Sequence, residues 1–282
     1  MALDPQDLGR SSADLAAILQ ELRKRAGLSG VQLARRVNMS QSKISKIETG
    51  KVIPSLVDVE LILRALDAPA ELIARVTALA RIANTEWQDA KALRRKGLDK
   101  KQVELAALER HSTEFRYFLP TMITGLLATP EYIRASLALF PGDHSEAIAR
   151  KLERQAVLYE RAKSFTFILT EQACLWPLVS EQAMAVQLDR LVSVSRLPNV
   201  RLGVIPMAGR MPWAPLNVFT VYDAVLATVE VSTGALVFRD PRDVQEYLNE
   251  FGRFEGYSLW GDEARVRLEE WAARFRGGRR DL

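Results

Sequence analysis

Twenty residues, Ser29 to Glu48, constrain this 282-residue chain more than any other feature. Ser29 stands three places before Gln32, the spacing of a reciprocal helix cap, and Leu33, Ala34 and Val37 follow on one helical face. Asn38 and Met39 interrupt the pattern, Ser40 offers a second cap, and Gln41 to Glu48 carries Ile44 and Ile47 three apart. The pattern predicts two helices of roughly eight residues around a tight turn. Helices so short are unstable alone in water, so their apolar faces require neighbours. Those neighbours are legible. Ser11 with Asp14 opens a helix carrying Leu15, Ile18 and Leu22 and ending at Gly27; after Gly50 and Pro54, Ser55 with Asp58 opens another with Leu56, Val59, Leu63 and Leu66; a fifth begins near Pro69.

On a wheel of 100° per residue, Ile44 and Ile47 take the inner side of the third helix. Ser42, Ser45, Lys46 and Thr49 take the outer side, flanked by Gln41 and Lys43. That outer face is small, polar and basic, with no carboxylate at its centre. Hydroxyls, an amide and lysines are the groups that hydrogen-bond base edges in a DNA major groove, so Gln41, Ser42, Ser45 and Lys46 are the expected base readers. Ala34 lets the preceding helix approach closely, and backbone amides near Ser29 and Gly30 are placed to meet a phosphate. Arg35, Arg36, Lys43 and Lys51 are further phosphate-contact candidates in a stretch whose acid is Glu48. The net charge of +4 permits nucleic-acid binding without requiring it.

The length predicts two domains. With 48% hydrophobic and 26% charged residues the chain has enough apolar content for a packed core and too little charge for disorder. The expected plan is a loose tail at 1–10, a helix-turn-helix domain at 11–78, a helical connector at 79–115, a mixed α/β domain at 116–276 and a loose tail at 277–282. The connector gathers Lys91, Arg94, Arg95, Lys96, Lys100 and Lys101, which read as a solvated basic face. In the α/β domain Phe165–Leu169, a helix near Glu181–Ser195 and Val200–Ile205 follow in the order of a βαβ unit. Strand patterns at Leu216–Tyr222, Val225–Val231 and Ala235–Phe238 are separated by Asp223 with Ala224 and by Thr233 with Gly234; helices at Pro241–Gly252 and Asp262–Phe275 follow.

Two resemblances follow from these residues. Leu28, Ser29, Leu33, Ala34, Val37, Ser40, Ile44, Ile47, Glu48, Gly50, Lys51 and Pro54 resemble the Cro/C1-type helix-turn-helix family, also called XRE, over roughly Leu15 to Leu66. The resemblance implies a five-helix domain that binds operator DNA, usually as a homodimer on an inverted repeat. It makes Gln41, Ser42 and Lys46 the leading base readers, sets Ser40 and Lys43 near the phosphates, and pairs Arg23 with Glu48 as a structural ion pair. Gly30 departs from the glutamine that many members carry there. In the second domain Ile123, Gly125, Leu126, Leu127, Thr129, Pro130, Glu131 and Tyr132, then Arg150, Glu153, Arg154, Gln155, Glu171, Leu175, Gln187, Leu188, Asn199, Val200, Pro206, Phe219 and Glu230 resemble DUF5753. That family accompanies XRE domains in actinobacterial regulators of the antitoxin-like Scr1 type, which implies a small DUF397-like protein partner. Thr124 and Ala128 depart from its usual proline and glutamine.

Catalytic chemistry lacks its residues in this pattern. Two histidines, His111 and His144, lie far apart and supply neither a metal cluster nor an evident triad. The lone Cys174 beside Leu175 and Trp176 reads as a core thiol, and Gly50-Lys51 lacks the rest of a phosphate loop. No metal, cofactor or enzymatic activity is expected. Trp176, Trp213 and Phe219 are the candidate effector or partner site, Trp213 lying in the loop Gly209–Pro215. Three readings of the second domain remain: receiver of a protein partner, small-molecule sensor, or a DNA-tethered enzyme. No apolar run approaches a membrane span and Met1–Pro5 is unlike a signal peptide, so a soluble cytoplasmic protein is expected.

Overall fold

The computed structural model describes residues 11–89, 108–138, 142–208, 211, 213–231 and 234–277. The expected tail at 1–10, most of the connector with its six bases, Thr233 of the predicted turn, and all of the final tail except Gly277 lie outside the described residues. The chain forms two compact units. The first holds residues up to Trp87 together with Leu236–Val244; the second holds Gln88–Ala235 and Gln245–Leu282.

In the first unit five helices follow in order, α1 (Ser11–Arg25), α2 (Gly30–Arg36), α3 (Gln41–Glu48), α4 (Leu56–Ala65) and α5 (Ala70–Asn84). Their inward residues form one cluster in which Leu15, Leu19, Leu33, Ile44, Ile47, Leu56, Val59, Ile62 and Leu63 are at most 1% exposed. Local chemistry sets the boundaries. Ser29 with Gln32, and Ser55 with Asp58, form complete capping boxes at α2 and α4, while the Ser40 hydroxyl accepts the Lys43 amide at α3. Helices α1 to α4 end in one repeated device: Gly27, Asn38, Gly50 and Asp67 all take positive φ, between 51 and 68°. Beyond each, the next amide reaches back five residues, as in Met39 N–H to Ala34 C=O at 2.9 Å and Lys51 N–H to Lys46 C=O at 2.9 Å. This is the Schellman closure, which satisfies carbonyls a helix end otherwise leaves open.

The expected helical connector is corrected in part. Helix ends at Asn84; Thr85–Asp89 is a strand, β1, residues 108–111 are helical, and a second strand, β2 (Glu114–Leu119), has begun before residue 115. Glu114-Phe-Arg-Tyr-Phe-Leu is aromatic-rich and stops at Pro120, signals of a strand that the charged stretch before it obscured.

The second unit is built on β2, β3 (Ser164–Thr170), β4 (Val200–Ile205), β5 (Val218–Tyr222) and β6 (Leu226–Val231), standing in the order β6-β5-β2-β3-β4. β2, β3 and β4 run parallel; β5 and β6 pair antiparallel to complete a mixed sheet. The remaining strand, β7 (Gly234–Phe238), neighbours β1. Five further helices are α6 (Pro130–Leu137), α7 (Ser145–Arg154), the short α8 (Glu171–Leu175), α9 (Glu181–Val194) and α11 (Gly261–Arg276); between the last two in sequence, α10 (Pro241–Glu255) begins in the first unit and continues in the second. The β3-α9-β4 connection is the βαβ unit read from the sequence, with Phe165 beside Val200 and Leu169 beside Val204. A Cβ at Gly203 of β4 would stand 2.7 Å from the Trp260 ring, so any larger residue there would force the ring away from the strand.

The β5–β6 hairpin shows how a local turn and a distant strand share one side chain. Asp223 and Ala224 take φ of 48° and 55°, and the Val225 amide closes the turn on the Tyr222 carbonyl at 3.0 Å. The Asp223 carboxylate accepts the Thr113 amide at 2.8 Å, its hydroxyl at 3.0 Å and the Glu114 amide at 2.7 Å, fixing the start of β2. Partial burial pushes this carboxyl upward, but the amide and hydroxyl donors outweigh it and hold it below the ordinary carboxylate range. A depressed carboxyl stabilises the fold above the unfolded-state pKa, and the contribution is lost as pH falls through the folded value. Asp223→Asn is therefore expected to cost about 1 kcal/mol at pH 7. The difference from wild type should shrink as pH falls below about 4; urea melts at pH 7 and pH 3 check this.

Candidate nucleic-acid interface

The roll of α3 rests on the burial of two isoleucines. Ile44 and Ile47 are each 1% exposed in the core of the first unit, and this fixes the roll of α3. Gln41, Ser42, Ser45, Lys46 and Thr49 consequently face solvent, so the four sequence-predicted base readers share one exposed surface. Thr49 turns its hydroxyl back to the Ser45 carbonyl at 2.8 Å, leaving the forward part of the helix to the amide, the serines and Lys46. A helix with this outer face can present donors and acceptors to base edges, while its small serines let the backbone approach and Lys46 supplies positive charge.

The expected phosphate contacts divide. Arg35, Ser40 and Lys51 are exposed. Gly30 opens α2, and a Cβ built there meets nothing within 4 Å. Ser29 is engaged in its own helix: its amide donates to Gln32 Oε1 at 2.7 Å and its hydroxyl accepts the Gln32 amide at 3.2 Å. Arg36 donates to the Ala65 carbonyl at 3.2 Å, at the end of α4. Lys43 Nζ donates to Asp58 Oδ1 at 2.8 Å, tying α3 to the first turn of α4. These intramolecular contacts give Arg36 and Lys43 a bracing position that sequence spacing did not disclose, since their partners lie 29 and 15 residues away.

Arg23 and Glu48 lock α1 to the end of α3. Arg23 donates through Nε at 2.6 Å and Nη2 at 2.7 Å to the two carboxylate oxygens, and through Nη1 to the Leu28 carbonyl at 2.7 Å. The side chains are 14% and 8% exposed, so the pair is structural. The Glu48 carboxylate holds the Arg23 guanidinium above its already high ordinary value.

The residues proposed for an effector site do not form one lining surface. Phe219 is 1% exposed and packs in the sheet core against Phe118, Tyr247 and Phe251; its place on β5 alternates inward, which removes it from a solvent-facing site. Trp176 is exposed beyond α8, and Trp213 is half-exposed with the Arg253 guanidinium 4.7 Å from its ring. Cys174 is fully buried, and burial pushes its thiol far up, as expected of a packing residue. Among the described residues no group of three histidine, cysteine or carboxylate side chains is placed to hold a metal ion, and no helix is long and apolar enough to cross a membrane.

Comparison with known proteins agrees with both halves of this description. Residues 14–76 match a helix-turn-helix domain model, so the chain is a helix-turn-helix protein with a DNA-binding type of domain at its amino-terminal end. Residues 102–270 match the model for DUF5753, a domain of unknown function. The chain belongs to the DUF5753 family. No curated protein matches it. Solved structures similar to it include the archaeal chromatin protein TrmBL2, described as showing a novel mode of DNA binding, at 8% identity and a TM-score of 0.33. That match covers 63% of this chain and 53% of TrmBL2, so the chain matches about half of that protein's length. Two others are Nuc from Salmonella typhimurium, a phospholipase D family member, at 6% identity and TM-score 0.37, and NucT from Helicobacter pylori at 7% and 0.35. Each covers 63% of this chain, with 97% and 98% of the other chain covered. All three likenesses are too slight to bear on function.

Proposed function

We propose that this protein is a sequence-specific transcription regulator of the Cro/C1 type, reading operator DNA with α3 and binding as a homodimer on an inverted repeat. The observation that carries the reading is the sorting of α3, with Ile44 and Ile47 buried and Gln41, Ser42, Ser45 and Lys46 exposed together. Gln41 and Lys46 are the direct base readers; Arg35, Lys51 and the amino-terminal end of α2 meet phosphates. Gln41→Ala or Lys46→Ala is expected to weaken binding to a selected operator duplex by about 1 to 3 kcal/mol with an unchanged fold. Gel-shift titration at fixed salt, with circular dichroism as control, tests this; wild-type affinity in both variants would remove α3 as the reader.

The second unit receives a small DUF397-like protein in this proposal, as the resemblance to antitoxin-like Scr1-type regulators implies. Co-purification with the product of a neighbouring gene of that type is the direct test. A second reading, sensing of a small molecule, is favoured by one feature. Between the sheet and α6 and α7 lies a pocket of about 130 Å³, bordered by Tyr117, Tyr132, Thr220, Tyr222, Lys151 and Glu230. Burial pushes the Tyr117 and Tyr222 phenols upward, so both remain protonated at neutral pH. A cavity of roughly this size admits a single six-membered ring.

A further inference from the structure

The first unit contains a piece of chain from far along the sequence. Leu236–Val244 groups with the helical residues, and its Val237, Asp240 and Val244 are buried at 3%, 0% and 1% exposure. Asp240 serves two helix beginnings at once. Its Oδ2 accepts the Leu56 amide, the first of α4, at 2.7 Å; its Oδ1 accepts the Arg242 amide at the start of α10 at 3.0 Å. Helix amino-termini carry partial positive charge and unsatisfied amides, so a buried carboxylate shared by two of them is well matched on both sides. One turn along α4, Arg242 Nη1 reaches Glu60 Oε1 at 3.3 Å.

From that contact the recognition helix is two side chains away. The turn of α4 that Asp240 holds includes Asp58, which accepts Lys43 Nζ of α3 through Oδ1 and the Ser55 amide through Oδ2 at 3.2 Å. The remainder of α10, from Gln245, belongs to the second unit, where Phe254 stacks on Phe118 at 4.1 Å and Phe251 meets Phe219 at 6.4 Å. We propose that Leu236–Val244 is a strap that positions the DNA-reading helix. Engaged through Asp240, it fixes the first turn of α4 and, through Asp58 and Lys43, the seating of α3, so that loss of the Asp240 carboxylate lowers affinity for DNA. The proposal rests on the reading of α3 as the base-reading helix.

The test uses the full chain as wild type, Asp240→Ala, Asp240→Asn and Asp58→Asn, and the double variant Asp58→Asn with Asp240→Ala. Hydrogen exchange reports the strap itself. Asp240→Ala should speed exchange at residues 56–58 at least tenfold while α9 and α11 keep wild-type protection. Affinity for a selected duplex should fall about tenfold, with affinity for a random duplex unchanged. In the Asp58→Asn background Asp240→Ala should have no further effect on DNA, because the route from Asp240 to α3 runs through Asp58; a further loss in the double variant overturns that route. If the alanine variant loses protection throughout the first unit, the isosteric Asp240→Asn decides the same two readouts. Unchanged exchange at 56–58 overturns the strap; faster exchange with unchanged affinity overturns its role in seating α3. A wild-type protein that binds all duplexes alike overturns the recognition reading instead, and exchange still decides whether the strap exists.

Discussion

Arg23→Ala is expected to destabilise the first unit by about 3 to 5 kcal/mol, the loss seen when one partner of a buried ion pair is removed and the other stays charged. The size follows from what remains. Glu48 is 8% exposed and would keep a carboxylate facing the space vacated by a guanidinium that now donates to both of its oxygens. The Leu28 carbonyl would lose its donor too, and with it a contact that steadies the turn into α2. Arg23→Lys retains the charge and forfeits the planar fork, so a smaller loss of about 1 to 2 kcal/mol is expected. Because the chain has two units, one melting temperature would merge two events; urea titration read by peptide-resolved hydrogen exchange separates them. A loss below about 1 kcal/mol in Arg23→Ala would mean that Glu48 finds other partners.

Phe118→Ala should act on the other unit with comparable size, about 3 to 5 kcal/mol. Phe118 is fully buried on β2, stacked on Phe254 and tilted against Phe219 at 5.3 Å, so truncation removes a ring from both the sheet and the helix packed on it. Phe118→Leu keeps much of the volume and should cost about 1 to 2 kcal/mol. The same exchange measurement should show α9 and β3 losing protection while α1 and α3 hold theirs. Equal losses across both units would contradict their separate cores.

The elements of the two units differ in how far the sequence discloses them. Gln41 to Glu48 is readable because Ser40 caps it, Ile44 and Ile47 define its inner face and Gly50 ends it; each signal acts within a few residues. The βαβ unit is readable for a similar reason, as Val200–Ile205 is a short apolar run after a periodic helix. β2 is not. Its alternation begins amid charged residues that read as helix, and its place at the centre of the sheet depends on partners at Ser164 and Tyr222. The α3 face could be drawn on a wheel, whereas the engagement of Lys43 by Asp58 and of Arg36 by Ala65 required the packing of α4. Asp240 before Pro241 announces a helix start. Its second acceptor contact, with an amide 184 residues earlier, carries no local sign. Phe219 misled in the opposite sense, because an aromatic residue near a loop with Trp213 resembles a binding surface until its strand turns it inward.

The split composition of the first unit has a consequence for the nascent chain. Residues up to Trp87 leave the ribosome well before Leu236–Val244, and at 5 to 20 residues per second the interval is roughly 7 to 30 s. Throughout that interval the Leu56 amide waits for Asp240. Contact with DNA by the emerging amino-terminal helices would therefore begin with an unfinished fold, and only a polypeptide translated past residue 244 holds every part of its first unit.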